Sequence, residues 1–361
     1  MIQSRLQYFL ADFQGYILVI ILAFIIFIVG TFLIFRSNSP HLRKRISISF
    51  LFTFFFLVLL FCLFEGYFRY IYDEPDGLGF LRTNGRWYER HVVYNADFFR
   101  DRNFSTEKKL SVFRIGVLGD SITFGAGIDN PEDRFSNKLE KKFQDAGYTV
   151  EVYNLGLPGH DTHNELAKYP DLKKFQFDMI VWQYFLNDAQ PRRSKGGMML
   201  ANKRGQTDLP RILSNNSYFF DYVYWRLAVR YDKTFIELST SDIESYKDKD
   251  NLDQHKEDVG TLSKEMKEGN RKILVIIFPY LQLMPNYSLS DIHSLVKRMF
   301  HEQGIETIDL VEYLKGKKKD DLVVGKYDNH PNEYVHTLAA EKLYKKILPT
   351  VKEHRKNNED N

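Results

Sequence analysis

Two uncharged apolar runs constrain this chain more than any other feature. It reads GYILVIILAFIIFIVGTFLIF from Gly15 to Phe35 and ISISFLFTFFFLVLLFCLF from Ile46 to Phe64. At roughly 1.5 Å per residue the first covers about 31 Å as a helix, the hydrocarbon thickness of a bilayer. Neither run carries the polar stripe of a buried soluble helix. The first is too long for the apolar region of a cleaved signal peptide and lacks a small-x-small exit. Between them RSNSPHLRKR, residues 36–45, holds four fixed positive charges and no acid. Backbone groups in lipid must be satisfied within their own helix, so the two spans form a helical hairpin. Positive loops stay cytoplasmic, which predicts an extracytoplasmic, in a bacterium periplasmic, position for everything after residue 70. The sole cysteine, Cys62, lies inside the second run, so no intrachain disulfide is possible.

The formal charge of +3 divides along the same line. The first 70 residues hold +4 and the remainder −1, so the basic balance belongs to an anchor. No basic face is left to bind nucleic acid.

After residue 70 the composition changes. Residues 71–110 are aromatic and polar, with Pro75, Gly77, Gly79 and Gly85 breaking any long element, and read as a linker and an N-terminal loop layer. From 111 to 354 strands and helices alternate. Val112–Leu118, Thr149–Leu155, Met179–Phe185, Ile273–Phe278 and Glu306–Leu310 read as strands. Phe135–Ala146, Ser290–Glu302 (with a Ser cap) and Glu333–His354 read as helices, and 355–361 as a polar tail. That alternation predicts an α/β fold whose parallel sheet is covered on both faces. Residues 189–270 break the rhythm with a Gly/Lys-rich piece (192–204), an aromatic piece (218–231) and a charged run (242–272). They read as an insertion, either a cap over the active end of the sheet or a solvated excursion.

The chemistry-bearing residues gather at predicted strand ends. Gly119-Asp120-Ser121 follows the first strand and precedes a helix, where open α/β sheets place their sites. Asn154-Leu155-Gly156 and Pro158-Gly159 follow the second, Asn187-Asp188 the third. Asp328-Asn329-His330-Pro331-Asn332 stands just before the last helix. A serine becomes a nucleophile when an oriented imidazole takes its proton, and an amide donor steadies the oxyanion that results. Asp328 and His330, two apart in an extended segment, point to one side and are able to bond. The G-x-S-x-G elbow of the α/β-hydrolases is absent.

This order of blocks resembles the SGNH/GDSL hydrolase family over roughly residues 112–350, here as a membrane-anchored member. The resemblance implies a three-layer α/β/α sandwich of flavodoxin-like type, preceded by the two transmembrane helices. Carried over residue by residue, it implies Ser121 as nucleophile, His330 as general base and Asp328 as the acid that orients it. The oxyanion hole would be the Ser121 N–H, the Gly156 N–H and the Asn187 amide. Two departures stand out: Phe185 occupies a position often held by glycine, and the acid lies two rather than three residues before the histidine.

The implied activity is a serine esterase or acylhydrolase that cleaves carboxylic esters without a cofactor or metal. The same triad would equally serve an O-acyltransferase or deacetylase acting on cell-envelope glycans, and a non-catalytic SGNH-like binding module is the reading from another class. The partners implied are an ester or acylated glycan as substrate, membrane lipid around the two helices, and a membrane acyltransferase. His160, Asp161 and His163 lack a third imidazole for a metal and read as loop residues. His336 reads as a packing or capping residue. Arg192-Arg193 reads as an anion receiver or plain surface, and Tyr218–Trp225 as an aromatic core stripe or acyl-site lining.

Overall fold

A computed structural model describes residues 2–77, 79–190, 209–231 and 242–359. In chain order the main elements are α1 (Ile2–Arg36), α2 (His41–Gly66, extended by a wider turn to Ile71), α3 (Arg82–His91), β1 (Phe113–Gly119), α4 (Ser121–Phe124), α5 (Phe135–Asp145), β2 (Val150–Gly156), α6 (Thr162–Leu172) and β3 (Met179–Phe185). Then come α7 (Leu209–Asn216), α8 (Tyr218–Tyr231), α9 (Lys249–Lys267), β4 (Lys272–Phe278), α10 (Ser290–Glu302), β5 (Glu306–Asp309), β6 (Val323–Gly325), β7 (Asp328–Pro331) and α11 (Glu333–Glu359). The chain divides into two units, one comprising Met1–Asp73, Leu81–Thr83 and Thr207–Arg226, the other the rest.

The first unit is the apolar hairpin with a pair of helical segments against it. Leu10–Arg36 and His41–Ile71 are long and apolar enough to cross a membrane, and their large side chains are mostly exposed. The helices touch through aromatic rings, Phe27 stacking on Phe55 at 4.4 Å. Residues 209–226 were expected in an insertion, yet they fold with this hairpin. Buried Glu65 accepts from Ser217 Oγ (2.6 Å), Phe219 N (3.0 Å) and Tyr218 N (3.1 Å), satisfying the free amides that open α8.

The second unit is a five-stranded, fully parallel sheet in the order β2-β1-β3-β4-β5. Alternate side chains along each strand serve opposite faces. Ile115, Val117, Val181 and Ile276 join Phe135, Leu139 and Phe143 of α5 and Val335, Ala339 and Leu343 of α11. Ile180, Trp182, Val275 and Ile277 join Tyr169 of α6, Val259, Leu262 and Met266 of α9 and Val296 and Phe300 of α10. The result is the α/β/α sandwich anticipated, with flavodoxin-like strand order. Its topological switch lies between β1 and β3, so the crevice opens beyond the carboxyl ends of those two strands.

Four local expectations are corrected. Residues 71–110 contain a helix, α3, which runs through Gly85. Buried Trp87 holds it, donating Nε1–H to Asp129 Oδ1 (2.7 Å), and that anchoring outweighs the roughly 1 kcal/mol a mid-helix glycine costs. The charged run contains α9, which is the covering helix between β3 and β4 rather than part of an excursion. α11 continues to Glu359, so 355–359 is helix and not a tail. Ser290 opens α10 without capping it, Leu289 being the cap residue. The Gly/Lys-rich piece and Arg192-Arg193 lie outside the described residues.

Candidate active site

β1 delivers Asp120 and Ser121 to the switch point. Asp120 caps α4, its Oδ1 accepting from Ile122 N (2.8 Å), so the chain turns sharply at Ser121. Gln183 on β3 holds that turn from below, its Oε1 accepting from Asp120 N (3.1 Å) and Thr123 Oγ1 (2.9 Å). A Cβ on Gly119 would lie 2.3 Å from both Gln183 Oε1 and Thr123 Oγ1, so only glycine fits at the strand end. Asn154 of β2 closes the other side. Its Nδ2 donates to Thr123 O (2.6 Å) and Ser136 Oγ (2.7 Å).

β7, paired antiparallel with β6, brings the imidazole to the serine. His330 Nε2 lies 2.9 Å from Ser121 Oγ, and His330 Nδ1 lies 2.6 Å from Asp328 Oδ1. The same carboxylate oxygen accepts from His330 N at 2.9 Å, which is how two-residue spacing suffices in a strand. The contacts fix the tautomer: Nδ1–H donates to Asp328, and the Nε2 lone pair accepts the serine proton. Burial opposes the imidazolium, but the Asp328 charge and hydrogen bond, helped by Asp120 and Asp76, raise the His330 pKa above its ordinary value. Burial pushes the Asp120 carboxyl up to about 6.

Of the three expected oxyanion donors the structure leaves two open. The Ser121 N–H carries no hydrogen bond among the described residues, and neither does the Asn187 amide nitrogen, in the turn after β3. Asp188 fixes that turn by accepting from Phe185 N (2.8 Å). The Gly156 N–H, in contrast, donates to Asn154 Oδ1 (3.1 Å). Gly156 is glycine for steric reasons: a Cβ there would sit 2.1 Å from Phe124 N. Among the described residues the Gly159 N–H, at φ +78 in a turn closed by His160 N to Leu157 O (3.2 Å), carries no hydrogen bond. Proline followed by glycine is the sequence signal for that turn.

Other residues singled out from the sequence take quieter places. Asp161 caps α6 through Asn164 N (2.8 Å), His163 Nδ1 lies 3.6 Å from Asp258, and burial lowers the pKa of half-buried His160. Fully buried His336 accepts from Phe135 N (3.2 Å) and stacks on its ring, and burial lowers its pKa to about 3. Tyr218–Trp225 packs in the first unit, against the end of α2. The Phe185 ring lies against Tyr280, 4.5 Å between centroids.

Two contributors escaped the sequence. Gln183 is the one polar residue in the strand MIVWQYF, and that interruption was its only signal. Gly77, in the segment read as linker, has φ +68, and a Cβ there would lie 2.9 Å from Asp328 Oδ1. The segment read as linker therefore walls the Asp328 carboxylate.

No family model matches the chain, and no curated protein matches it. Among solved structures it is similar to TesA at 17% identity, covering 67% of this chain and 99% of that one, TM-score 0.38. It is also similar to the lipase/acylhydrolase from Enterococcus faecalis at 17% identity, covering 65% and 95%, TM-score 0.41. A third is a catalytic mutant of Axe2, an acetylxylan esterase from Geobacillus stearothermophilus, at 17% identity, covering 65% and 94%, TM-score 0.40.

Proposed function

We propose that the chain is a membrane-anchored serine hydrolase that cleaves carboxylic esters through an acyl-enzyme on Ser121. One observation carries the reading: Ser121, 209 residues from His330 in sequence, forms a continuous hydrogen-bonded series with it and Asp328. Neutral His330 takes the serine proton as Oγ attacks the ester carbonyl carbon. The carbonyl π electrons move onto oxygen, and the Ser121 N–H and Asn187 amide receive that charge. The Gly159 N–H replaces Gly156 as the third donor. Collapse expels the alcohol, which takes the proton from His330. Water then repeats the sequence and releases the acid. Asp328 keeps the imidazole in its working tautomer and offsets the imidazolium formed in each step.

The two apolar helices support an anchor, and the basic residues 36–45 support a cytoplasmic loop with the catalytic unit extracytoplasmic. The test is hydrolysis of short- and long-chain aryl esters by the full chain in detergent, wild type beside Ser121→Ala. The substitution should lower kcat by at least about 10⁴-fold. Hydrolysis unchanged in that variant would refute the assignment. Acyl transfer to an added glycan in preference to water would replace hydrolysis by transfer on the same triad.

A further inference from the structure

We propose that the α7–α8 helical pair stands tip-down on the bilayer, its turn at Asn216–Phe220 seated among the headgroups at the edge of the hydrocarbon. The inference rests on the hairpin spanning the membrane and assigns a second, separate lipid contact to the chain.

The level of the turn follows from charges and ring contacts within the first unit. Arg45, at the basic end of α2, and Glu65 are about 30 Å apart along the helix, one hydrocarbon thickness. Glu65, Arg69 and Asp12 form a connected cluster, Arg69 bonding Glu65 at 2.9 Å and Asp12 at 2.5 Å. Charges of both helices thus meet at one height, where the uncharged run ends at Phe64. Ser217, Tyr218 and Phe219 are bonded to Glu65 and share that height. Phe219 stacks on Phe64 at 5.1 Å and Phe220 packs on Phe61 at 5.4 Å, against the last residues of the apolar run.

From there α8 rises away. Tyr222 stacks on Phe68 at 4.3 Å, and Arg226 donates to Tyr72 Oη at 3.3 Å. α7 runs alongside, Arg211 lying over the Trp225 ring at 4.8 Å, so the turn between the helices is the lowest point. Its surroundings are those of an interface belt. The Arg82 guanidinium lies over the Tyr218 ring at 4.2 Å, and Ile212, Leu213, Asn215 and Asn216 are exposed. Aromatic rings beside guanidinium groups suit the zone of lipid phosphates and carbonyls. An exposed apolar pair one turn above a membrane boundary is best covered by lipid.

The experiment uses the full chain with Cys62→Ser, which removes the one native thiol, and new single cysteines carrying an environment-sensitive fluorophore. Asn216→Cys reads the turn, and Leu213→Cys is a second reporter in case the first variant folds poorly. Leu57→Cys reads the span, and exposed Lys141→Cys on α5 is the aqueous reference. Proteoliposomes of phosphatidylcholine and phosphatidylglycerol carry nitroxide lipids labelled either near the carbonyl or near the chain end. Quenching at 216 and 213 by the shallow nitroxide should exceed that at 141 by roughly threefold, with the deep nitroxide acting on 57. Quenching at 57 together with 216 and 213 reached only by aqueous iodide would overturn the proposal and leave the span intact. No lipid quenching at 57 would overturn the span, and the proposal with it.

Discussion

Replacing Asp328 by Asn tests the geometry of the triad most finely, because it changes one atom and leaves the shape. Asp328 is buried, and its Oδ1 accepts both the His330 Nδ1–H at 2.6 Å and the His330 N–H at 2.9 Å. An asparagine that keeps its oxygen at the Oδ1 position retains both hydrogen bonds but carries no negative charge. The imidazolium formed in each step then lacks the charge that offsets it, and His330 becomes a weaker base toward Ser121. The expected loss is about 10³–10⁴ in kcat, roughly 4–5.5 kcal/mol of transition-state stabilisation. The pH profile gives a second reading. In the wild type, burial is outweighed by Asp328, so the His330 pKa is raised, and activity appears only as the pH climbs through that raised value. Without the carboxylate the imidazolium loses its main support, so the acid limb of kcat/KM moves to lower pH while the plateau falls. Aryl ester hydrolysis followed across the pH range, with circular dichroism to establish folding, measures both. A variant within tenfold of wild type, with its acid limb unmoved, would refute the assignment of Asp328 as the orienting acid.

Four further outcomes follow from the same structure. Asn187→Ala should lower kcat by about 10²–10³ with little change in KM, since the amide is needed once the oxyanion forms; a change confined to KM would argue against that role. Gly156→Ala should destabilise the fold by at least about 2–3 kcal/mol in urea unfolding, because its Cβ would meet the Phe124 backbone, while Gly119→Ala should distort the serine turn and cost activity too. Burial holds His255 down to about 4, so the folded state binds fewer protons there than the unfolded chain, and that contribution is lost as the pH falls from about 6.5. His255→Gln keeps an acceptor for Tyr184 Oη and should gain about 2–3 kcal/mol on wild type between about pH 7 and pH 4; a constant difference would contradict it. In intact bacterial cells, with Cys62 replaced, an impermeant thiol reagent should label Asn358→Cys and spare Ser39→Cys, and the reverse pattern would invert the proposed topology.

Much of the architecture was legible because β1, β3 and β4 are short apolar runs ended by a breaker, whereas β6 and β7, VVG and DNHP, carry no such pattern and went unread. β3 and α10 fall at the bounds read from sequence, Met179–Phe185 and Ser290–Glu302. Helices α3 and α9 were hidden for a common reason: each is dominated by polar residues and held by few buried contacts. In α9 the apolar stripe is Val259, Leu262 and Met266 within a run of charge. In α3 it is chiefly Trp87. The association of 209–226 with the hairpin was illegible, since Glu65 and Ser217 are far apart in sequence and neither residue type announces the other. At the site, Ser121, Asp328 and His330 stood out because each sits at a strand end or strand. Gly156 and Gly159 looked alike because both follow the strand read at Thr149–Leu155, and only the backbone angle and the Asn154 hydrogen bond distinguish them.

The central claim, that Ser121 is a nucleophile activated by His330, is tested most directly by covalent trapping. Full-length protein incubated with an aryl phosphonate ester is digested, and the modified peptide is identified by mass spectrometry. The account predicts one adduct per chain on Ser121, absent in Ser121→Ala and slowed by about 10³-fold or more in His330→Ala. An adduct on another residue, or equal trapping rates with and without the His330 imidazole, would contradict it.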